Sequence, residues 1–203
     1  MRWFGSGDLE TAGSGFLVKN KVIVLYDHAS LVPQHGQLYF CLGGEGSDGR
    51  LPWGSIELVS LWDGGRCECR RDEAAGVLKS GLLPEYARLQ LSQIRPPGAL
   101  DLQNHIPEYS GYSFLPDGRY VAGVWLCTEK EVQDYVEMQR DYQHRVLICD
   151  RDDFTVLEIV EGKRVFPDEQ ILQKAAKESR QRGEMAMTWR EKRTWERSAL
   201  KTE

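Results

Sequence analysis

Two Asp-Gly turns constrain this chain more than any other feature of it. Asp63-Gly64-Gly65 separates an alternating run at 55–61 from a second at 66–70 (Arg66-Cys67-Glu68-Cys69-Arg70). Pro116-Asp117-Gly118 separates the runs 109–115 and 119–127. Aspartate bonds the backbone two residues on and glycine accepts φ > 0, so each pair predicts a tight hairpin. Hairpins make antiparallel sheet, which disfavours a doubly wound parallel fold.

Further elements follow from pattern. Residues 21–26 and 38–42 are β-branched or apolar runs and read as strands. The second strand runs into Gly43-Gly44-Glu45-Gly46-Ser47-Asp48-Gly49, a loop composition. Asp72 is placed to cap a short helix over 72–79, and 88–94 alternates like a strand before Arg95-Pro96-Pro97-Gly98 breaks the pattern. Thr128-Glu129-Lys130-Glu131 spells a capping box and predicts a helix to about residue 142, with Val132, Tyr135, Val136 and Tyr142 inward. Strands at 145–149 and 154–160 flank Asp150-Arg151-Asp152-Asp153, and Pro167-Asp168 opens a helical tail bent near Gly183.

The expectation is an α+β fold: a mostly antiparallel sheet built from hairpins, a helix packed from each half, and C-terminal helices. Residues 1–17 read as a flexible lead-in and 18–166 as one α+β domain. Its halves, 18–95 and 109–166, are joined by a Pro-rich connector, and 167–203 form a basic helical tail. Both halves read as strand, Asp-Gly turn, strand, capped helix, strand.

Charge divides close to that line, at residue 162. Residues 1–162 hold 15 Lys and Arg against 24 Asp and Glu, a balance of −9; residues 163–203 hold 11 against 7, a balance of +4, giving −5 for the 203 residues. Such a split points to contact with something charged. The longest apolar run, Val22 to Tyr26, is far below the roughly 20 residues that span a bilayer. The first residues carry no signal-peptide pattern, and five cysteines suggest no disulfide framework. A reduced cytoplasmic protein without membrane contact is expected.

Candidate chemistry is sparse. The Gly43–Asp48 stretch resembles one calcium-binding repeat, but such repeats work in tandem, so it reads as a loop. Cys67 and Cys69 lie about 7 Å apart on one strand face, a poor zinc knuckle, and read as free buried thiols. Asp150, Asp152 and Asp153 read as turn residues rather than magnesium ligands. Cys127, His144 and Asp150 occur in an order that a thiol nucleophile, base and orienting carboxylate would use, with Cys127 beside a helix N-terminus. No catalytic residue, cofactor or metal is assigned.

Two surfaces suit a partner. Glu131, Asp134, Glu137 and Asp141, with Glu129 near, form an acidic helix face that imitates spaced phosphates to a nucleic-acid-binding protein. Trp189, Arg190, Lys192, Arg193, Trp195 and Arg197 in the tail combine cations with stacking rings, which suits a protein surface or nucleic acid.

The segments Leu82 through Pro97 (from LLPEYARL), Tyr109 through Trp125 (YSGYSFLPDGRYVAGVW) and Tyr142 through Phe154 (YQHRVLICDRDDF) resemble uncharacterised accessory proteins of conjugative and other mobile elements of gut Firmicutes. The resemblance covers residues 20–166. It implies a setting in which small acidic proteins blunt host defences such as restriction and CRISPR nucleases, as anti-CRISPR proteins do. The expected function is a non-enzymatic interaction protein that inhibits or modulates a nucleic-acid-handling host protein. A nucleic-acid-binding accessory factor using Lys174 to Lys201, and a thiol-dependent enzyme using Cys127 and His144, are the alternatives.

Overall fold

Both Asp-Gly pairs close hairpins. The computed structural model describes residues 4, 6–10, 18–26, 37–44, 54–70 and 73–167. At the first turn Gly64 takes φ 76° and Asp63 Oδ1 accepts from Gly65 N at 3.0 Å. At the second, Gly118 takes φ 80° and Asp117 Oδ1 accepts from Arg119 N at 3.0 Å.

The first hairpin joins β4 (Ser55–Ser60) to β5 (Arg66–Arg70). With β1 (Leu9–Glu10), β2 (Val22–Leu25), β3 (Leu38–Gly44) and β6 (Ala74–Leu78) they make a six-stranded sheet in the order β1-β6-β2-β3-β4-β5. The second hairpin joins β7 (Tyr109–Phe114) to β8 (Tyr120–Leu126). They lie in a five-stranded sheet with β9 (Arg145–Asp150), β10 (Thr155–Val160) and β11 (Lys163–Phe166), ordered β11-β10-β9-β7-β8. All pairings between these strands are antiparallel. Two helices, α1 (Glu85–Ser92) and α2 (Glu129–Gln139), complete an α+β fold among the described residues.

Two expectations exchange places. The helix expected over 72–79 is not there across the described residues 73–79: Ala74–Leu78 is β6, between β1 and β2. A helix that short is costly to nucleate, whereas two neighbouring strands supply ladder partners. Gly76 lies so close to β1 that a Cβ there would meet Glu10 O at 3.0 Å. Conversely, 88–94 is no strand; most of it belongs to α1, entered through Pro84 with Glu85 in the first turn. Ala87 and Leu91, one helical turn apart, are buried, while Leu89 faces outward. The first half thus runs from β5 into a strand, and the expected parallel between the halves fails there. The chain also adds β11 after an unforeseen turn with Glu161 at φ 48° and Gly162 at φ 74°.

Three apolar clusters hold the molecule. One packs Val124, Leu126, Val146, Ile148, Leu157 and Ile159 of the second sheet against Val132 and Tyr135 of α2. Another lies within the first sheet around Ile23, Cys41, Leu58 and Val77. The third joins the halves: Val22, Phe40, Val59 and Leu61 of the first half pack with Ala87 and Leu91 of α1 and with Met138 and Tyr142. Among the described residues, no helix is long and apolar enough to cross a membrane. The tail residues lie outside the described residues.

Candidate interaction surface

The expected acidic face of α2 is divided by its own contacts. Thr128 caps the helix as foreseen, its Oγ1 accepting from Glu131 N at 3.1 Å. Glu131 does not close the capping box through its side chain, and it is not on the outer face. It is 4% exposed, and its carboxylate accepts from Arg95 Nη2 (3.1 Å), Leu100 N (3.0 Å) and Cys127 N (3.2 Å). The end of the first half supplies Arg95 and the connector supplies Leu100 N, so Glu131 is an internal clasp rather than part of an outer acidic face. Asp134 pairs with Lys130 on its own helix, and Asp141 with Lys21 at 2.9 Å. Glu137 is exposed and has no ion pair among the described residues. Trp189, Arg190, Lys192, Arg193, Trp195 and Arg197 lie outside the described residues.

The thiol arrangement does not assemble. Cys127 precedes the first turn of α2 and His144 follows its last. Eleven helical residues place those ends about 16 Å apart. Burial and the neighbouring Glu131 carboxylate raise the Cys127 thiol, which opposes the activation expected of a helix N-terminus. Asp150 Oδ1 accepts from Asp152 N and Phe154 N, each at 2.9 Å, the bonding of a turn residue. Among the described residues no group of three or more His, Cys, Asp or Glu is arranged to hold a metal.

Of the paired cysteines, Cys69 is buried and Cys67 is exposed, because the strand face they share leaves the core at Cys67. Cys41 is buried, and desolvation pushes its thiol up to about 11. At about pH 8 only about one Cys41 in a thousand carries a thiolate. Iodoacetamide is therefore expected to label Cys67 first and Cys41 only on unfolding; mass spectrometry of timed digests reads the order. Early labelling of Cys41 in the folded protein contradicts its placement.

An aromatic surface on the second sheet was not foreseen. Tyr112 and Phe114 point from β7 to the face away from α2, and Tyr120 and Trp125 join them from β8. Ring centroids are 5.9 Å apart for Tyr112–Tyr120 and 6.0 Å for Phe114–Tyr120. Phe114 pairs with Tyr120 but Ser113 with Ala122, so Val121 is an extra residue in the strand. That bulge brings Tyr120 to the face that Gly123 and Trp125 share. Gly123 lies beneath the rings: a Cβ there would meet Tyr120 Oη at 2.9 Å and Tyr112 Cδ1 at 3.1 Å. Tyr120 and Trp125 are each 56% exposed.

Charge on this surface is neutralised in place. Arg145 stacks on Phe114 with its Cζ 5.0 Å from the ring centroid, and its Nε donates to Glu158 at 2.7 Å. Arg119, beside Tyr120, pairs with Asp117 and with Glu85 of α1. The result is a rigid set of large rings whose neighbouring arginines are engaged by carboxylates. Alternation marked the strands, but only the bulge, invisible in composition, put Tyr120 and Trp125 on one side. Compared with protein-family models, curated proteins and solved structures, the chain matches none.

Proposed function

We propose that this chain is a non-enzymatic interaction protein whose aromatic sheet face, set in an acidic body, docks on the basic surface of another protein. The carrying observation is the set Tyr112, Phe114, Tyr120 and Trp125 on one sheet face, the first two half-buried and the last two each 56% exposed rather than folded into the core. Tyr and Trp are the rings that most often anchor protein interfaces, and their faces attract guanidinium and ammonium groups. The −9 balance of residues 1–162 makes the body that carries them acidic. Basic surfaces of this kind belong above all to proteins that handle nucleic acid. The resemblance of 20–166 to mobile-element accessory proteins supports an antagonist of such a host-defence protein, a CRISPR nuclease being one example.

Single-stranded nucleic acid also stacks on sheet aromatics, but it needs free cations along the track. Here Arg145 and Arg119 are committed to Glu158, Asp117 and Glu85. Direct nucleic-acid binding is therefore the second reading.

The test is affinity capture from a bacterial lysate, with and without nuclease, using the natural chain and the Tyr120→Ala/Trp125→Ala variant. A protein partner that survives nuclease and binds the variant about 30-fold more weakly is the expected result. Association should weaken as salt rises. Recovery of nucleic acid alone, or equal capture by the variant, defeats the reading.

A further inference from the structure

A cleft of about 480 Å³ opens where the two halves meet, and none of the aromatic-face residues lines it. Its size is that of a small-molecule site. Lys21, Arg88, Arg140, Asp141, Tyr142 and His144 are among its walls. Most of that charge is already matched: Lys21 and Arg140 both engage Asp141, at 2.9 and 3.6 Å, and His144 lies 3.8 Å from Glu161. Glu10, also lining the cleft, is exposed and keeps its water.

Arg88 is different. It is half-buried on α1, and it has no carboxylate partner among the described residues. Among the described residues its side chain makes one hydrogen bond, from Nε to Leu83 O at 3.1 Å, and the two Nη groups, the forked end of the guanidinium, have no partner there. Burial without a counterion destabilises the charged form and lowers the guanidinium from its usual value. The residue is also held in place. The Gln143 carboxamide donates to Arg88 O at 3.0 Å and to Gln139 Oε1 at 3.1 Å, tying this turn of α1 to α2. Tyr142 also contributes to the wall, but its hydroxyl is turned into the core, where it accepts from Val22 N at 2.8 Å. A positioned cation in the wall of a cleft, with no anion paired to it among the described residues, is complementary to an oxyanion. A planar fork matches carboxylate or phosphate oxygens two at a time.

We propose that this cleft binds a small oxyanion-bearing ligand, a phosphate or a carboxylate, held end-on by Arg88. The site is separate from the aromatic face, so the two readings stand or fall independently. The probes are inorganic phosphate and acetate, titrated by calorimetry into the full chain, Arg88→Gln, Arg88→Lys and Trp125→Ala. One of the two anions should bind the natural chain and Trp125→Ala alike, and whichever binds more tightly identifies the source. Arg88→Gln should lose at least about tenfold in affinity, with Arg88→Lys between them because it keeps the charge but not the fork. Should Arg88→Gln not fold, the side-chain NMR signal of Arg88 in the natural chain decides, since bound anion must shift it. No binding below about 10 mM, binding equal in Arg88→Gln and the natural chain, or an unmoved Arg88 signal overturns the proposal.

Discussion

Glu131→Ala is expected to destabilise the protein by about 3–5 kcal/mol, measured as a lower urea midpoint at unchanged slope. One carboxylate satisfies Arg95, the Leu100 amide and the Cys127 amide together, and it is nearly inaccessible to water. Its removal strands a guanidinium whose Nε has no partner among the described residues and whose Nη2 also donates to Leu100 O at 3.0 Å. It also orphans two backbone donors, and each such buried group costs about 1–3 kcal/mol. Glu131→Gln should recover only part of the loss, because its amide nitrogen would face donors. The double variant Arg95→Met/Glu131→Leu separates the contributions. It removes the charge pair entirely, yet leaves Leu100 N and Cys127 N without acceptors, so it should remain less stable than the natural chain. A Glu131→Ala midpoint within about 0.5 kcal/mol of the natural value would mean that this clasp does not hold the connector.

The sequence was most legible where a local rule is also a complete rule. An Asp-Gly turn contains its own hydrogen bonds, so Asp63-Gly64 and Asp117-Gly118 could be read without knowing the rest of the chain. The cap at Thr128 is equally self-contained. Glu131 fits the same motif, but two of its three donors stand 31 and 36 residues away, at Leu100 and Arg95. Nothing in the spacing of charges on one helix reveals that. Residues 72–79 and 88–94 were misread for a related reason. Ala74–Leu78 is a strand because β1 and β2 flank it, and α1 is a helix because Ala87 and Leu91 meet the first sheet. Short segments with mixed propensity take the structure their neighbours can use.

The candidate surface was less legible than the fold. The charge split drew attention to α2 and to the tail, since charge is counted directly from sequence. Exposure of rings is not counted that way: Tyr and Trp in alternating strands read equally well as core. Tyr135 of α2, 0% exposed, reads as inward from its helical spacing, whereas the strand pattern around Trp125 of β8, ten residues earlier and 56% exposed, gives no such direction. The difference lies in Gly111, whose missing Cβ makes room for the Tyr135 ring: a Cβ there would meet Tyr135 Cε1 at 2.6 Å. Tyr135 thereby fills the inner side of the sheet under α2, while Trp125 is left on the other.

Tyr142→Ala is expected to cost about 4 kcal/mol or more and to lower the stability of both halves together. The side chain leaves from the end of α2, yet its hydroxyl accepts from Val22 N in β2, 120 residues away, and its ring stands edge-on to Phe40 at 6.3 Å. Truncation opens a cavity in the shared cluster and orphans a buried amide. Beside it, Lys21 meets Asp141, and Gln139 Nε2 donates to Leu91 O at 2.9 Å, so α1, α2 and the first sheet close on one another. Tyr142→Phe keeps the ring and should lose only the amide's acceptor, about 1–3 kcal/mol. Because the cluster draws on both halves, tryptophan fluorescence and far-ultraviolet dichroism should give coincident unfolding curves in the natural chain and in both variants. Curves that separate would show that each sheet folds around its own cluster, and that the contact through Tyr142 is a docking of two independent units rather than one core.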